Sequence, residues 1–475
     1  MDTAIIDTTL VTLADDRLGV VDDGAVGIAD GELCYVGSTD GVDPGDADRV
    51  VDGAGLITMP GLVDAHAHTG YTLLRGGAQD LPEIEWMNAG LGPFANAMSA
   101  DDRVVGSKLG VLEAVRGGAT TVAEYDDRVA DLVEAVYRPY GVRVVATETI
   151  NEVADDRSGL GPRDLYEFDR ERGEAAFARA NDLFDRYADA DLVTPMYGPQ
   201  ALDMVSPDLL RSVRDRAAAD DRRVHVHVAQ GERERLQIEE RYGADRTTVA
   251  VLDDLDLLDE FLVAVHCHGT TAAERRRMVE AGASLVGCPS SIAAIDGRVP
   301  PVDGYAGLGG TAGLGTDQAP GPGHHNVLRE ARTASLLSKT DAADPTALPA
   351  WRALRLATLG GARALGIDDA VGSLEVGKRA DVITVDMGAL GVAPTVSRPL
   401  RTAIPNLVYS TTGREVRDVF VDGEPLVRDG EFVRADADAV VREANERADA
   451  VFDRGTDDWR AAGSALVDRA DDGWL

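Results

Sequence analysis

The stretch Pro60-Gly61-Leu62-Val63-Asp64-Ala65-His66-Ala67-His68 decides how this chain is read. Its first half is a short apolar run behind a Pro-Gly turn, the pattern of a buried strand. Its second half ends that strand on two histidines spaced i, i+2, which a strand presents on one face. The chain holds only 8 histidines. Two more i, i+2 pairs, His225/His227 and His266/His268, also close strand-like runs. His225 reads as structural, deeper on its strand than His227. His324 and His325 lie in a Gly/Pro loop and read as solvated. Imidazole is the commonest metal ligand and Asp supplies an anionic oxygen, so the converging pairs point to a metal centre.

Outward from this stretch the chain alternates strand-like and helix-like segments. Strand patterns end near Asp64, Tyr125, Glu148, Gly198, Val228, His268, Cys288 and Asp317. Helical patterns between them include Asp101–Arg116, Pro207–Ala218, Asp253–Glu260 and Ala272–Ala281. Eight such alternations predict a (β/α)8 TIM barrel over 58–369, with the strand ends opening on its catalytic rim. Short strands and turns recur at both ends of the chain. They predict a small composite β-sandwich domain built from 1–57 and 370–434, and 435–475 reads as a helical tail packed outside the barrel. Gly307-Leu308-Gly309-Gly310-Thr311-Ala312 imitates a dinucleotide fingerprint but precedes a strand instead of following one, so it carries no cofactor reading.

The composition limits the partners. Of 475 residues, 83 are Asp or Glu and 47 are Lys or Arg, a formal charge of −36. Such a chain repels phosphate backbones and anionic lipid, so nucleic acid and membrane are excluded and a small-molecule substrate is expected. A homo-oligomer, dimer or tetramer, is expected as well. Lysine occurs only at 108, 339 and 378. Acidic excess with few lysines predicts a halophilic protein, because molar salt shortens the Debye length to about 3 Å and screens the self-repulsion. Cys34, Cys267 and Cys288 read as free thiols of a reducing compartment, and no signal sequence or 20-residue apolar run is seen, so the cytoplasm is the expected location.

The first-strand stretch resembles the metal motif of the amidohydrolase superfamily. Thr72-Leu73-Leu74-Arg75-Gly76, Val224-His225-Val226-His227, Val265-His266-Cys267, Gly287-Cys288-Pro289-Ser290-Ser291 and Gly313-Leu314-Gly315-Thr316-Asp317 are similar, in order, to its branch of cytosine, guanine and nucleoside deaminases and triazine chlorohydrolases. Gly372-Ser373-Leu374-Glu375-Val376-Gly377-Lys378-Arg379-Ala380-Asp381 resembles that branch's return to the small β domain. The resemblance implies a hydrolase of C–N bonds acting on a small cyclic or heterocyclic substrate through a metal-activated water. It implies one divalent metal, Zn²⁺ first and Fe²⁺ as the alternative, held by His66, His68, His227 and Asp317. Asp317 would also be the catalytic base, and His266 would polarise the substrate. None of the three lysines follows a barrel strand, so a lysine bridging two metals is not available.

Two departures bear on the substrate. Deaminases of the branch carry Glu three residues after the third metal histidine; here that residue is Gln230, which donates a hydrogen bond but cannot shuttle a proton. Glu232 is the nearby carboxyl that could reach in, whereas Glu124 and Glu148 read as rim salt bridges. Trp86 matches the substrate-facing helix start, yet the branch's ribose-binding Glu is replaced by Ala95, and Ser290-Ser291-Ile292-Ala293-Ala294 is altered too. Gln230, Trp86 and Glu232 are therefore the expected substrate-binding residues, and a compact ring or amide is expected over a nucleoside. The competing expectations are a triazine-type chlorohydrolase and a degenerate homologue that binds without turnover.

Overall fold

The computed structural model describes residues 1–14, 17–154 and 160–475. Eight strands pair in parallel and in sequence order, Leu62–Ala67, Ala119–Asp126, Arg143–Ile150, Val193–Pro199, Val224–Val228, Leu262–His266, Ser284–Gly287 and Ala312–Leu314. Nearly every residue in them is buried, as expected of strands covered on one side by helices and filled on the other by their own side chains. The eighth strand closes on the first where Ala67 bridges Asp317. The closing bonds run from the Asp317 N–H to the His66 carbonyl, 2.9 Å, and from the His68 N–H to the Asp317 carbonyl, 3.0 Å. The seam of the barrel is thus made by three of the residues singled out for metal binding. Gly315 permits it, since a Cβ there would stand 2.7–2.8 Å from the His66 backbone.

The chain's two ends share a second, nine-stranded mixed sheet. Its junction is the antiparallel pairing of Leu56–Pro60 with Val382–Asp386. The Leu56–Pro60 strand runs past residue 57 and stops just before the first barrel strand at Leu62. Arg143 fastens the sheet to the barrel floor with bonds of 3.0 and 2.9 Å to the two oxygens of Asp381. A buried bidentate pair of this kind fixes orientation more than it adds net stability.

Most helices fall where the periodicity places them: Ala100–Arg116, Pro207–Ala219 and Ala272–Glu280. The exception is Asp253–Glu260. The observed helix is Thr248–Asp254, started by the Thr247 side chain capping the Ala250 N–H and ended before Asp256, which is left-handed at φ 57°. The apolar residues Leu255, Leu257 and Leu258 are buried from a turn instead.

The tail forms one long helix, Ala437–Ala462, and a short one, Ala465–Asp471. The long helix lies over the catalytic end of the barrel. Phe452 packs on Phe94 with ring centroids 4.4 Å apart, and Trp459 lies 5.7 Å from the same ring. No helix among the described residues is long and apolar enough to cross a membrane.

Candidate active site

Four imidazoles and one carboxylate meet at the C-terminal ends of the barrel strands. His66, His227 and His266 form one group and His66, His68 and Asp317 another, with ring nitrogens and carboxylate oxygen within 4.8 Å of one another in each. Asp317 Oδ1 lies 3.8 Å from His66 Nε2 and 3.6 Å from His68 Nε2.

The far side of each ring sets its tautomer. His68 Nδ1 is 2.6 Å from the Tyr125 carbonyl, and His227 Nδ1 is 2.8 Å from the Gln200 carbonyl. A carbonyl only accepts, so Nδ1 carries the hydrogen in both and Nε2 presents its lone pair to the centre. His66 Nδ1 is 3.2 Å from His225 Nε2. His225 is therefore the residue behind a pocket histidine, as its position deeper on the strand suggested. Burial pushes His68 and His227 down to about 4, and burial plus neighbouring rings push His66, His225 and His266 well below the usual imidazole range. All are neutral at pH 7, the state in which imidazole binds metal.

These residues fit a divalent cation. His66 Nε2 is fully buried and has no hydrogen-bond partner, an expense a protein does not ordinarily bear without a ligand for that lone pair. Imidazoles with one carboxylate are the donor set of zinc and similar borderline-soft ions. Among the lysines, Lys108 is 3.5 Å from Glu443, Lys339 bonds Ser335 and Leu348, and Lys378 bonds Asp368 and Ser373, all away from the centre.

The backbone at this rim is strained. Asp317 has φ 61°, His266 72° and Cys267 54°. Each such residue costs on the order of 1 kcal/mol, and they cluster where side chains must be aimed. Here the turn corrects one sequence expectation. The sixth strand ends at His266, and the left-handed residues 266 and 267 swing His268 off the strand face, where its Nε2 lies 3.7 Å from Asp296. The third histidine pair thus delivers one residue to the site instead of two.

The loop histidines are also corrected: both are buried. His325 is 2.9 Å from Thr316 Oγ1 and 3.1 Å from Thr72 Oγ1, while Asp64 accepts from the Thr316 N–H at 2.9 Å and its hydroxyl at 2.6 Å. His324 lies 3.3 Å from Glu330. They hold the segment that carries Asp317. Glu148 pairs with Arg179 at 2.6 Å, as a rim salt bridge should. Glu124 does not: it is buried and accepts from the Thr69 N–H at 2.9 Å and the Tyr137 hydroxyl at 2.5 Å, bracing the loop after His68.

A cavity of about 690 Å³ opens in front of the histidines. Trp86 and Gln230 line it, and Ala95 faces it without a carboxylate. Glu232 does not line it. Its side chain is 56% exposed on the helix Glu232–Tyr242 and pairs with Arg235 at 2.6 Å, because helical geometry from residue 232 turns it outward. The carboxyl that does come in is Glu83, from the short helical turn before Trp86. Asp296 and the tail residue Asp458 line the cavity as well. Sequence reasoning missed all three, since none has a local motif. Ser291 was noticed only as an altered position; its hydroxyl donates to Asp317 Oδ2 at 2.5 Å.

The chain matches the family model for the amidohydrolase family over residues 57–426. It is 33% identical over 444 residues to a 5-methylthioadenosine/S-adenosylhomocysteine deaminase of Moorella thermoacetica, covering 93% of this chain and 98% of that one. It is 33% identical over 453 residues to a 5'-deoxyadenosine deaminase of Methanosarcina mazei, covering 95% and 98%. The crystal structure of an adenosine deaminase from Xanthomonas campestris with bound zinc superposes with a TM-score of 0.85 at 31% identity, over 95% of this chain and 98% of that one.

Proposed function

Since the chain belongs to the amidohydrolase family, and is a hydrolase of carbon–nitrogen bonds, we propose that it deaminates an adenosine-type heterocycle around one zinc ion held by His66, His68, His227 and Asp317. The observation that carries this reading is that His66 joins two groups, His66/His68/Asp317 and His66/His227/His266, with the His68 and His227 rings each oriented by a carbonyl behind Nδ1. The compact-ring expectation drawn from Ala95 gives way to a larger substrate. The cavity of about 690 Å³ is roomy for a lone ring, and the relatives at 33% identity are named for adenosine derivatives.

A bound metal activates water and offsets charge at the reacting carbon. The residues do the rest. Asp317 takes the proton of the attacking water, while Ser291 holds its Oδ2. His266, neutral and buried beside His227, stabilises the nitrogen on which charge develops. Asp317 then passes its proton to the departing nitrogen. The balance is an amidine C–NH2 and water going to a C=O and ammonia. We also read the charge of −36 and the lysine scarcity as adaptation to concentrated salt, and the free thiols Cys34, Cys267 and Cys288 as suited to the cytoplasm.

The test is ammonia release by metal-replete protein from adenosine, 5'-deoxyadenosine and 5'-methylthioadenosine, scored beside chloride release from atrazine. Ammonia from at least one nucleoside is expected. Chloride release alone, or no turnover of any of the four, overturns the reading.

A further inference from the structure

The cavity is lined by four carboxyl groups, Glu83, Asp296, Asp317 and Asp458, and among the described residues by no lysine or arginine. Asp317 belongs to the histidine centre and Asp458 sits exposed at the mouth. Glu83 and Asp296 are different, because each side chain is only 9% exposed. Burying carboxyls without a partner is costly, so each calls for a cation or a donor.

Glu83 lacks a complete one. Its Oε2 accepts the Arg233 N–H at 3.0 Å, but Oε1 is buried with no hydrogen-bond partner. Arg233 Nε is 3.8 Å from that oxygen and Nη2 is 3.4 Å from Asp203, so one guanidinium is shared. Glu234, buried beside it, adds a third carboxyl to this cluster and bonds the Gln230 N–H at 2.8 Å. Three carboxyls share one guanidinium, burial raises Glu83 and pushes Glu234 up to about 7, and Glu83 is the member that reaches the cavity. The approach is built in: a Cβ at residue 231 would stand 2.7 Å from Glu83 Cδ, so only Gly231 lets the carboxyl lie beside Gln230. Asp296 faces His268 at 3.7 Å, with Arg298 nearby; burial, then Glu83 and Asp317, push its carboxyl up to about 7. An arriving cation would relieve both groups.

We propose that Glu83 and Asp296 form a subsite for a cationic N–H group, an ammonium or amidinium, so that the enzyme takes neutral or cationic heterocycles and rejects those bearing a carboxylate or phosphate. Amidinium and carboxylate are matched in shape as well as charge, which favours two parallel hydrogen bonds. The proposal deepens the deaminase reading and rests on the same cavity.

Benzamidinium, benzamide and benzoate share one ring and carry charges of +1, 0 and −1, so calorimetric titration of metal-replete protein with these three reads the charge preference without any turnover. Benzamidinium is expected to bind at least about ten-fold more tightly than benzamide, the worth of one charge-assisted hydrogen bond, with benzoate weakest. Glu83→Gln, which keeps an acceptor for the Arg233 N–H, and Asp296→Asn should each collapse the benzamidinium-to-benzamide ratio while benzamide affinity stays put. Any direct contact with the metal is common to parent and variants. A parent ratio near one, or a ratio unchanged in both variants, overturns the subsite. Absence of ammonia release from the nucleosides would overturn the deaminase reading instead, leaving the titration to decide this one.

Discussion

Ser291 Oγ lies 2.5 Å from Asp317 Oδ2, and Asp317 Oδ1 faces the histidine nitrogens. One oxygen of the carboxylate is thus anchored and the other is left to work. Ser291→Ala removes the anchor without touching a proposed ligand. Loss of an outer partner of this kind typically costs about 10–100-fold. The expected outcome is a fall of that size in kcat with KM and metal content close to the parent's, and Ser291→Thr should recover most of it. An unchanged kcat would show that the hydroxyl does not orient Asp317.

The metal assignment has its own test. His68→Ala and Asp317→Asn should each hold well below one equivalent of metal by elemental analysis after dialysis, and lose activity. His225→Ala should behave differently. It removes only the group behind His66 Nδ1, so metal should still load at saturation but with affinity lower by about 10–100-fold. Full metal in the first two variants would sink the ligand set.

How much of this could be seen in the sequence depends on how local each signal is. His66 and His68 were legible because period-two spacing at a strand end fixes both side chains on one face, and histidine is scarce in this chain. His268 had the same spacing and misled, since two left-handed residues ended the strand one step early. That turn is set by packing against the neighbouring strands, where the Cys267 N–H bonds the Val228 carbonyl. Glu83 and Asp296 were illegible for a related reason. They enter from segments 150 and 28 residues distant from the residues they meet, Arg233 and His268, and no periodicity encodes such a meeting. Glu232 looked nearer in sequence but helix geometry carried it away.

Gln230 stands on the cavity wall with its N–H bonded to Glu234 at 2.8 Å, so its side chain is free to be changed without dismantling the turn. Gln230→Glu supplies a proton donor in the place the deaminase branch uses. General acid help is worth about 10²–10⁴-fold where it is missing. Deamination of aminopurine rings should rise, in kcat more than in KM. If kcat does not move, the parent enzyme already has its acid or its substrate needs none.

The tail helix is held over the cavity by Asp102. This residue closes a capping box at the start of Ala100–Arg116, accepting from the Ser99 N–H at 2.9 Å and hydroxyl at 2.8 Å. It also pairs with Arg454 at 2.5 Å and Arg447 at 3.3 Å from the helix Ala437–Ala462, which brings Asp458, Ala461 and Ala462 to the cavity. Burial opposes ionisation, but the Ser99 donors and then the two guanidinium groups outweigh it and hold the carboxyl below its usual value of 3.8. A depressed acid stabilises the fold above its unfolded pKa and loses that contribution as pH falls through the folded one. Asp102→Asn should therefore cost about 1–2 kcal/mol at pH 7, discounted for the half-exposed arginines. Measured by denaturant melts at fixed salt, the gap between parent and variant should be flat from pH 8 to about pH 5 and close below about pH 4. The variant should also raise KM, since a loosened tail helix withdraws part of the cavity wall. A gap that does not narrow at all as pH falls below about 4 would mean that Asp102 acts through packing and not through its charge.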